Sequence, residues 1–562
     1  MDYIKMESYP IGEQDFKQLR EAGCIYVDKT MYIHRLLDTR SKYFFLARPH
    51  RFGKSLFLST LRYFFEGERE LFKDLDIYSF RYDNRNTSNQ KQVFSNQKGN
   101  ILNNNDWISY PVLYLDLNCE RYADPDSLDN LLDNTFISWE KKYNLTGQSQ
   151  AKGGFDKIEM KAKPHSQRFR NILREIHEKT EKEVVVLVDE YDKPLIDNLN
   201  NENNFKRFSE TLASVFSVFK SGAEDLRFVF VAGVNQISKF RILSDVNNLR
   251  DLSLSNEFAD ICGFTEEELG RTFQSGISKL AQKTGASTEE ACKQLKLNYG
   301  NYQFTSEGSA LLRPWSVLNS LADSQIGNYG VYTEILSYIV RWAEGIDVDL
   351  ANALHTRCSI DLLSGIDIKY DDPLTLLFRN GFLTIKKYQS DFHSVVLGVP
   401  NKEVRRGLFY LLLPKYVKVD HGTPGIIVRD IINSIELGEP EKLLKSLNIF
   451  LYGASQKQGE NYKTNFHNAL YILLKLIGMR SKTEFHISDD RIDMIIKSQN
   501  FIYVIELKFD TDNETNLNPT DEKNFILPFS SGNLPVFNIS ATYSSDTHRL
   551  QKPEIKVLFN NL

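Results

Sequence analysis

Cysteine is scarce in this chain: five residues in 562, Cys24, Cys119, Cys262, Cys292 and Cys358, none at Cys-x-x-Cys spacing. That scatter gives no sign of a zinc knuckle or a disulfide framework. Long apolar runs are missing too. None approaches the roughly 20 residues needed to span a bilayer, and the opening MDYIKMESYP lacks the apolar core of a signal peptide, so the expectation is a cytoplasmic protein without membrane attachment. A strong charge imbalance is also lacking. The net charge of −5 gives no global attraction for nucleic acid, and any such contact has to come from local basic patches. What is there, 41% hydrophobic and 25% charged residues, is ordinary globular composition, and a chain of this length holds about two to four domains.

One further absence sits inside the most informative stretch. Ala47-Arg48-Pro49-His50-Arg51-Phe52-Gly53-Lys54-Ser55 joins an apolar segment, Tyr43–Leu46, to an amphipathic one, Ser55–Phe65. A phosphate-binding loop has this layout. Backbone N–H groups of Arg51, Phe52 and Gly53 and the positive end of the following helix would hold the phosphates of ATP. Lys54 would reach the β/γ oxygens, and the Ser55 hydroxyl would ligate Mg²⁺. The usual motif opens with a glycine five positions before Gly53, where this chain has Arg48. Gly-Lys-Ser alone therefore leaves a chance match or a surface turn open.

A second segment narrows the choice. Glu183-Val184-Val185-Val186-Leu187-Val188-Asp189-Glu190 is a β-branched run ending in two acids, the pattern of a strand buried on both faces that delivers carboxylates at its C-terminal edge. In a nucleotide hydrolase Asp189 would hold Mg²⁺ and Glu190 would polarise the attacking water. Another buried run, Phe228–Gly233, ends near Asn235, which is placed to contact the γ-phosphate or the water. With Tyr43–Ala47 and Pro111–Leu117 as further strands alternating with helices, the first 280 or so residues predict a parallel α/β sheet. Two polar stretches, Asn84–Asn105 and Asn144–Gln167, interrupt it as long loops. From about Thr265 to Leu354 the pattern is helical. A small mixed module follows, in which Leu376–Ile385 leads to a hairpin through His393–Leu397.

The far end carries a second constellation. Arg491–Lys497 and Phe501–Phe509 are strand-like runs separated by Ser498-Gln499-Asn500. A two-residue turn at Gln499-Asn500 would put Asp493 opposite Glu506, with Cβ atoms about 5 Å apart, and alternation would place Lys508 on the same face. Two carboxylates so disposed suit a shared divalent cation, and an exposed salt-bridged hairpin is the plain alternative. Upstream, Glu460 and His467 share one face of a helical pattern. A helix ahead of an Asp…Glu-x-Lys hairpin is the arrangement of a metal-dependent nuclease core, with Asp493, Glu506, Lys508 and Glu460 in catalytic positions and His467 structural.

These motifs together resemble the bacterial AAA-ATPase-like family. Its opening segment is similar to Tyr9-Pro10-Ile11-Gly12-Glu13-Gln14-Asp15-Phe16 and Tyr26-Val27-Asp28-Lys29-Thr30, and its phosphate loop, RPRRFGKS, has arginine where Arg48 stands. Similarity continues through Asn247–Asp251, Cys262-Gly263-Phe264-Thr265, Pro314-Trp315-Ser316-Val317-Leu318 and Gly398–Val404. The C-terminal part resembles the PD-(D/E)xK nuclease domain often fused to that family, with Asp493, Glu506 and Lys508 on the signature positions. Past Lys508 the likeness thins: Asp510–Phe529 contains Pro519 and Pro528 where relatives often carry a glutamine-bearing helix.

The resemblance implies an α/β protein in three parts: a P-loop NTPase with a parallel sheet over 1–264, a helical and winged-helix-like middle over 265–435, and an α/β restriction-endonuclease-like domain over 436–562. It implies ATP with Mg²⁺ at the first site (Ser55, Asp189), Mg²⁺ or Mn²⁺ at the second (Asp493, Glu506), nucleic acid, DNA foremost, as substrate, and a role in phage or mobile-element defence. Homo-oligomerisation, the trigger and the source of any arginine finger stay open, with Arg241 and Arg250 as candidates for the last. Arg405-Arg406 is the most basic spot of the middle segment. The rival reading is a nucleotide-dependent switch that uses an inactive nuclease fold for binding.

Overall fold

The computed structural model describes residues 8–78, 107–118, 120–145, 164–199, 201–235, 249–330, 356–364, 373–418, 424–455, 462–478, 482–487, 491–509, 534–544 and 546–559. The chain divides into two compact units, Met1–Ile335 with Thr356–Glu403, and Leu336–His355 with Val404–Leu562. Asn84–Asn105 and most of Asn144–Gln167 lie outside the described residues, and helix His165–Thr180 begins inside the latter stretch.

The first unit is built on a parallel five-stranded sheet of β1 (Tyr43–Ala47), β2 (Val112–Asp116), β3 (Val184–Asp189), β4 (Leu226–Gly233) and β5 (Leu249–Asp251), in the order β2-β3-β4-β1-β5. The strands are apolar because helices cover both faces: all six residues of β3 and all five of β1 are buried. Phe45, Val186, Val188, Val229 and Val231 pack in one core with Phe136, Phe169 and Leu212 of the flanking helices. β4 lies between β1 and β3 and so separates the strand feeding the Gly-Lys-Ser loop from the strand ending in the two acids.

Beyond β5, the helices Glu266–Thr272, Gln274–Thr284, Thr288–Tyr299 and Pro314–Asp323 bury Leu269, Phe273, Ile277, Leu295 and Val317 together with Val27 of the N-terminal segment. The first of these helices starts at a capping box: Thr265 accepts from the N–H of Glu268, and Glu268 accepts from that of Thr265. Packed with the same unit is an antiparallel sheet of β6 (Arg357–Ser359), β7 (Thr384–Gln389) and β8 (Ser394–Gly398), in the order β6-β8-β7.

The second unit carries β9 (Lys482–Ile487), β10 (Arg491–Lys497), β11 (Ile502–Phe509), β12 (Val536–Ser544) and β13 (Arg549–Phe559), in the order β13-β12-β11-β10-β9. The sheet is mixed: β11 and β12 are parallel and the other pairs antiparallel. Helices Pro424–Leu437, Pro440–Ser455 and Tyr462–Ile477 accompany it, and the Tyr503 hydroxyl donates to the carbonyls of Ser434 (3.2 Å) and Ile435 (3.1 Å). No helix among the described residues is long and apolar enough to cross a membrane.

Arg48 is only 1% exposed. Its guanidinium donates to the carbonyls of Ala47 (3.0 Å), Ser253 (2.8 Å), Phe258 (3.3 Å) and Ala259 (3.2 Å) and sits 4.9 Å from the centroid of the Phe304 ring. The residue in the missing glycine's place thus ties the loop to the chain after β5. Arg48→Gly, which restores the commoner motif, is expected to destabilise the protein by about 3 kcal/mol, because buried carbonyls lose a charged donor. An unchanged denaturant-unfolding curve would remove that role from Arg48.

Candidate functional site

The loop after β1 turns through Arg51 (φ +66°) and Gly53 (φ +95°), and Gly53 is the N-cap of helix Lys54–Glu66. Left-handed backbone at two positions in three wraps the chain around the helix N-terminus, where unpaired N–H groups collect. Phe52 anchors the loop. It is 1% exposed and meets Tyr302 and Phe304 edge-on at 4.9 and 5.3 Å, contacts that contribute about 1 kcal/mol each beyond burial. Arg51 lies over the Trp315 ring at 4.5 Å and donates to the Tyr329 carbonyl at 3.1 Å.

Lys54, buried, points at the acids: its Nζ is 3.1 Å from Glu190 Oε1 and 3.4 Å from the Pro49 carbonyl. Burial alone would depress its pKa, but Glu190 and Asp189 outweigh it, and the net shift is upward. Asp189 accepts the Glu190 N–H at 3.0 Å and the Tyr114 hydroxyl at 3.2 Å, and Ser55 hydrogen-bonds the same carboxylate. Burial first, then the neighbouring Glu190, pushes its pKa up to about 6. In Glu190 the upward push of burial is overcome by Lys54, and the pKa falls. Glu190 also holds φ +49°, a strained value for a non-glycine residue and a common mark of a working site.

Asn235, at the end of β4, is held by Asp192. This carboxylate accepts the N–H of Val234 (3.1 Å) and of Asn235 (2.7 Å) and the Asn235 side-chain amide (3.0 Å). Burial followed by Glu190 raises Asp192 to about 6. A cavity of about 650 Å³, of the size that small-molecule ligands occupy, opens in front of these groups, with Lys54, Ser55, Glu190, Arg313, Trp315 and Asn380 in its wall.

Several of these neighbours carry no local sequence signal. Tyr114 comes from β2, Asn380 from the turn before β7, and Arg313 from the residue before a helix whose Pro314 start was the readable feature. Lys29 was visible only as part of a motif; it is 2.6 Å from Glu268 and joins the N-terminal segment to the capping-box helix. Of the arginine-finger candidates, Arg250 pairs with Glu257 at 2.8 Å, and Arg241 lies outside the described residues.

In the second unit β10 pairs with β11 so that Asp493 stands opposite Glu506, and the Ser498 N–H donates to the Phe501 carbonyl across the turn. Direct partners in an antiparallel pair share a face. Lys508 Nζ is 3.6 Å from Glu506 Oε1 and half exposed. Glu460 lies outside the described residues; His467 falls within helix Tyr462–Ile477. Among the described residues no group of three or more His, Cys, Asp or Glu side chains is arranged to hold a metal.

Residues 10–243 match the family model described as "Predicted AAA-ATPase". The match supports an AAA-ATPase-like N-terminal region. It covers Lys54, Ser55, Asp189, Glu190 and Asn235 and ends well before Asp493, Glu506 and Lys508. The chain is also 26% identical over 517 residues, 90% of each chain, to a protein of Azotobacter chroococcum mcd 1 described as "Uncharacterized protein in vnfD 5'region".

ATP binding and magnesium fit the donor set. Ser55 and Asp189 offer hard oxygens, one hydroxyl and one carboxylate, and a cation that also takes phosphate oxygens and water needs no further protein ligand. With Asp189 raised to about 6, its ionised form is lost as pH falls through that value. The magnesium-dependent part of ATP affinity is therefore expected to weaken about tenfold per pH unit below about 6. Calorimetry with and without Mg²⁺ between pH 5 and 8 checks this, and a flat dependence would count against Asp189 as a ligand.

Proposed function

We propose that the protein binds and hydrolyses ATP at the edge of the first sheet and couples this to metal-dependent phosphodiester hydrolysis of nucleic acid, DNA foremost, by the second unit. The observation that carries the first half is the ion pair of Lys54 with Glu190 beside Asp189 and Ser55. The phosphate-binding cation, the two metal-side oxygens and the water-polarising acid stand within one hydrogen-bonded group.

In this reading the N–H groups of the loop and the helix N-terminus bind the phosphates, and Lys54 moves from Glu190 to the β/γ oxygens. A magnesium ion held by Ser55 and Asp189 would supply charge neutralisation at those oxygens. Glu190, which Lys54 holds in its ionised form, becomes more basic as Lys54 leaves and burial takes over, and can then take a proton from water; Asn235 contacts the γ-phosphate or that water. Tyr114 keeps the Asp189 carboxylate turned to Ser55. Lys54→Ala is expected to lose ATP affinity while staying folded, and Glu190→Gln to bind ATP yet turn over at least about 100-fold more slowly. Wild-type turnover in both variants would sink the ATPase reading.

Support for the second half is the shared face of Asp493 and Glu506 with Lys508 alongside, together with the resemblance to PD-(D/E)xK nucleases. That resemblance also suggests phage or mobile-element DNA as the target and the cytoplasm as the setting. Asp493→Asn is expected to abolish Mg²⁺- or Mn²⁺-supported cleavage of circular or linear DNA, or of RNA, and to leave ATP turnover unchanged. DNA binding without cleavage by the unmodified protein would favour a switch that uses this sheet as a platform.

A further inference from the structure

The Asp192 carboxylate, 1% exposed, fixes the Asn235 amide, because only its nitrogen can donate to an anion. The Asn235 oxygen then faces the other way and accepts from Asn380 Nδ2 at 3.0 Å. That nitrogen also donates to the Leu376 carbonyl at 2.9 Å. Both amide hydrogens of Asn380 are thus spent, and flipping the amide would set its oxygen against two acceptors. The chain of constraint ends on Asn380 Oδ1. It is a buried acceptor with no hydrogen-bond partner among the described residues, on a side chain 6% exposed that lines the nucleotide cavity.

A buried amide oxygen left without a donor is unfavourable, because it has given up water and gained nothing in exchange. Its chemistry also selects its ligand. Ionised phosphate oxygens are acceptors and are repelled; water can donate. We infer that Asn380 Oδ1 accepts a hydrogen bond from the water that attacks ATP, so that the module of β6, β7 and β8 contributes a catalytic residue. This rests on the ATPase reading above. As the water oxygen bonds to the γ-phosphorus, the bond to the bridging oxygen breaks and ADP leaves with its electron pair. One water proton passes to Glu190, and the other stays hydrogen-bonded to Asn380. Gly381 (φ +78°) holds the turn against the loop. A Cβ there would stand 3.1 Å from Pro49 Cγ and 3.3 Å from Arg313 Nη2, so the backbone beside Asn380 is seated directly on the phosphate loop.

The test measures kcat and KM for ATP, and the affinity for a non-hydrolysable ATP analogue by calorimetry, in the full chain carrying Asn380→Ala and Asn380→Ser. The expected result is a kcat at least about 10-fold lower with analogue affinity within about threefold of wild type. A purely packing role would move affinity and the thermal unfolding transition together with kcat. Unchanged kcat, or kcat and affinity falling in parallel in both variants, overturns the inference. Lys54→Ala and Glu190→Gln run alongside: if they abolish turnover and Asn380→Ala does not, this inference alone fails, and if they too are without effect the ATPase reading has failed.

Discussion

Three acids in four residues, Asp189, Glu190 and Asp192, are each less than 10% exposed at the end of an entirely buried and otherwise apolar strand. Unpaired carboxylates in such a place are costly enough to unfold a domain. Each therefore has to be answered by a specific partner, and those partners organise the site. Glu190 is answered by Lys54, Asp189 by Ser55 and Tyr114, and Asp192 by the N–H groups of Val234 and Asn235 with the Asn235 side chain. Meeting these demands sets the position of helix Lys54–Glu66, the face of β2 and the path of the chain leaving β4. In the function proposed above, an arriving phosphate would compete with Glu190 for the same ammonium, so that ligand binding and the release of the acid would be one event electrostatically.

Arg48 shows a second solution to the same problem of buried polarity. A loop whose first glycine is absent still has to bend, and here the bend is held by a guanidinium spread over four carbonyls, three of them more than 200 residues away. Burial lowers the Arg48 pKa to about 10, which leaves the group charged at any physiological pH. The cation lies beneath the loop and points into the protein, which leaves Lys54 as the cation that lines the cavity from the loop's helical end.

What could be read from sequence follows the range of the interaction involved. Period-two alternation and a two-residue turn place Asp493 opposite Glu506, because strand register is a local property once the turn length is known. Short apolar runs, aromatic in β1, β-branched in β3 and of alternating Phe and Val in β4, mark those strands for the same reason. The short β5 and the strand β9 have no such run and carry no strand signal in the sequence. Lys54, Ser55, Asp189, Glu190 and Asn235 were named from local patterns and gather at one sheet edge. Asn380 reaches Asn235 across 145 positions, and Tyr114 reaches Asp189 across 75. No periodicity reports such contacts, and an isolated asparagine before a glycine reads only as a turn. The burial of Arg48 is equally hidden: a lone arginine beside a loop is usually solvated.

The two turns that carry the acids and Asn235 are clasped to each other more tightly than either is to the phosphate loop. The Tyr191 N–H donates to the Ala232 carbonyl at 3.1 Å, its hydroxyl donates to the Asn235 carbonyl at 2.7 Å, and Asp192 takes three N–H donors from the same stretch. The approach is close enough to require glycine at the end of β4: a Cβ on Gly233 would meet Asp192 Oδ1 at 2.5 Å and the Tyr191 ring at 2.6 Å. The acids and Asn235 therefore behave as one rigid body at the C-terminal edge of β3 and β4. Lys54 meets that body through one flexible side chain of four rotatable bonds. In the proposed function, the lowest-cost response to a phosphate would then be a rotation of Lys54 away from Glu190, which alters the electrostatic balance of the acids and leaves their hydrogen bonds in place.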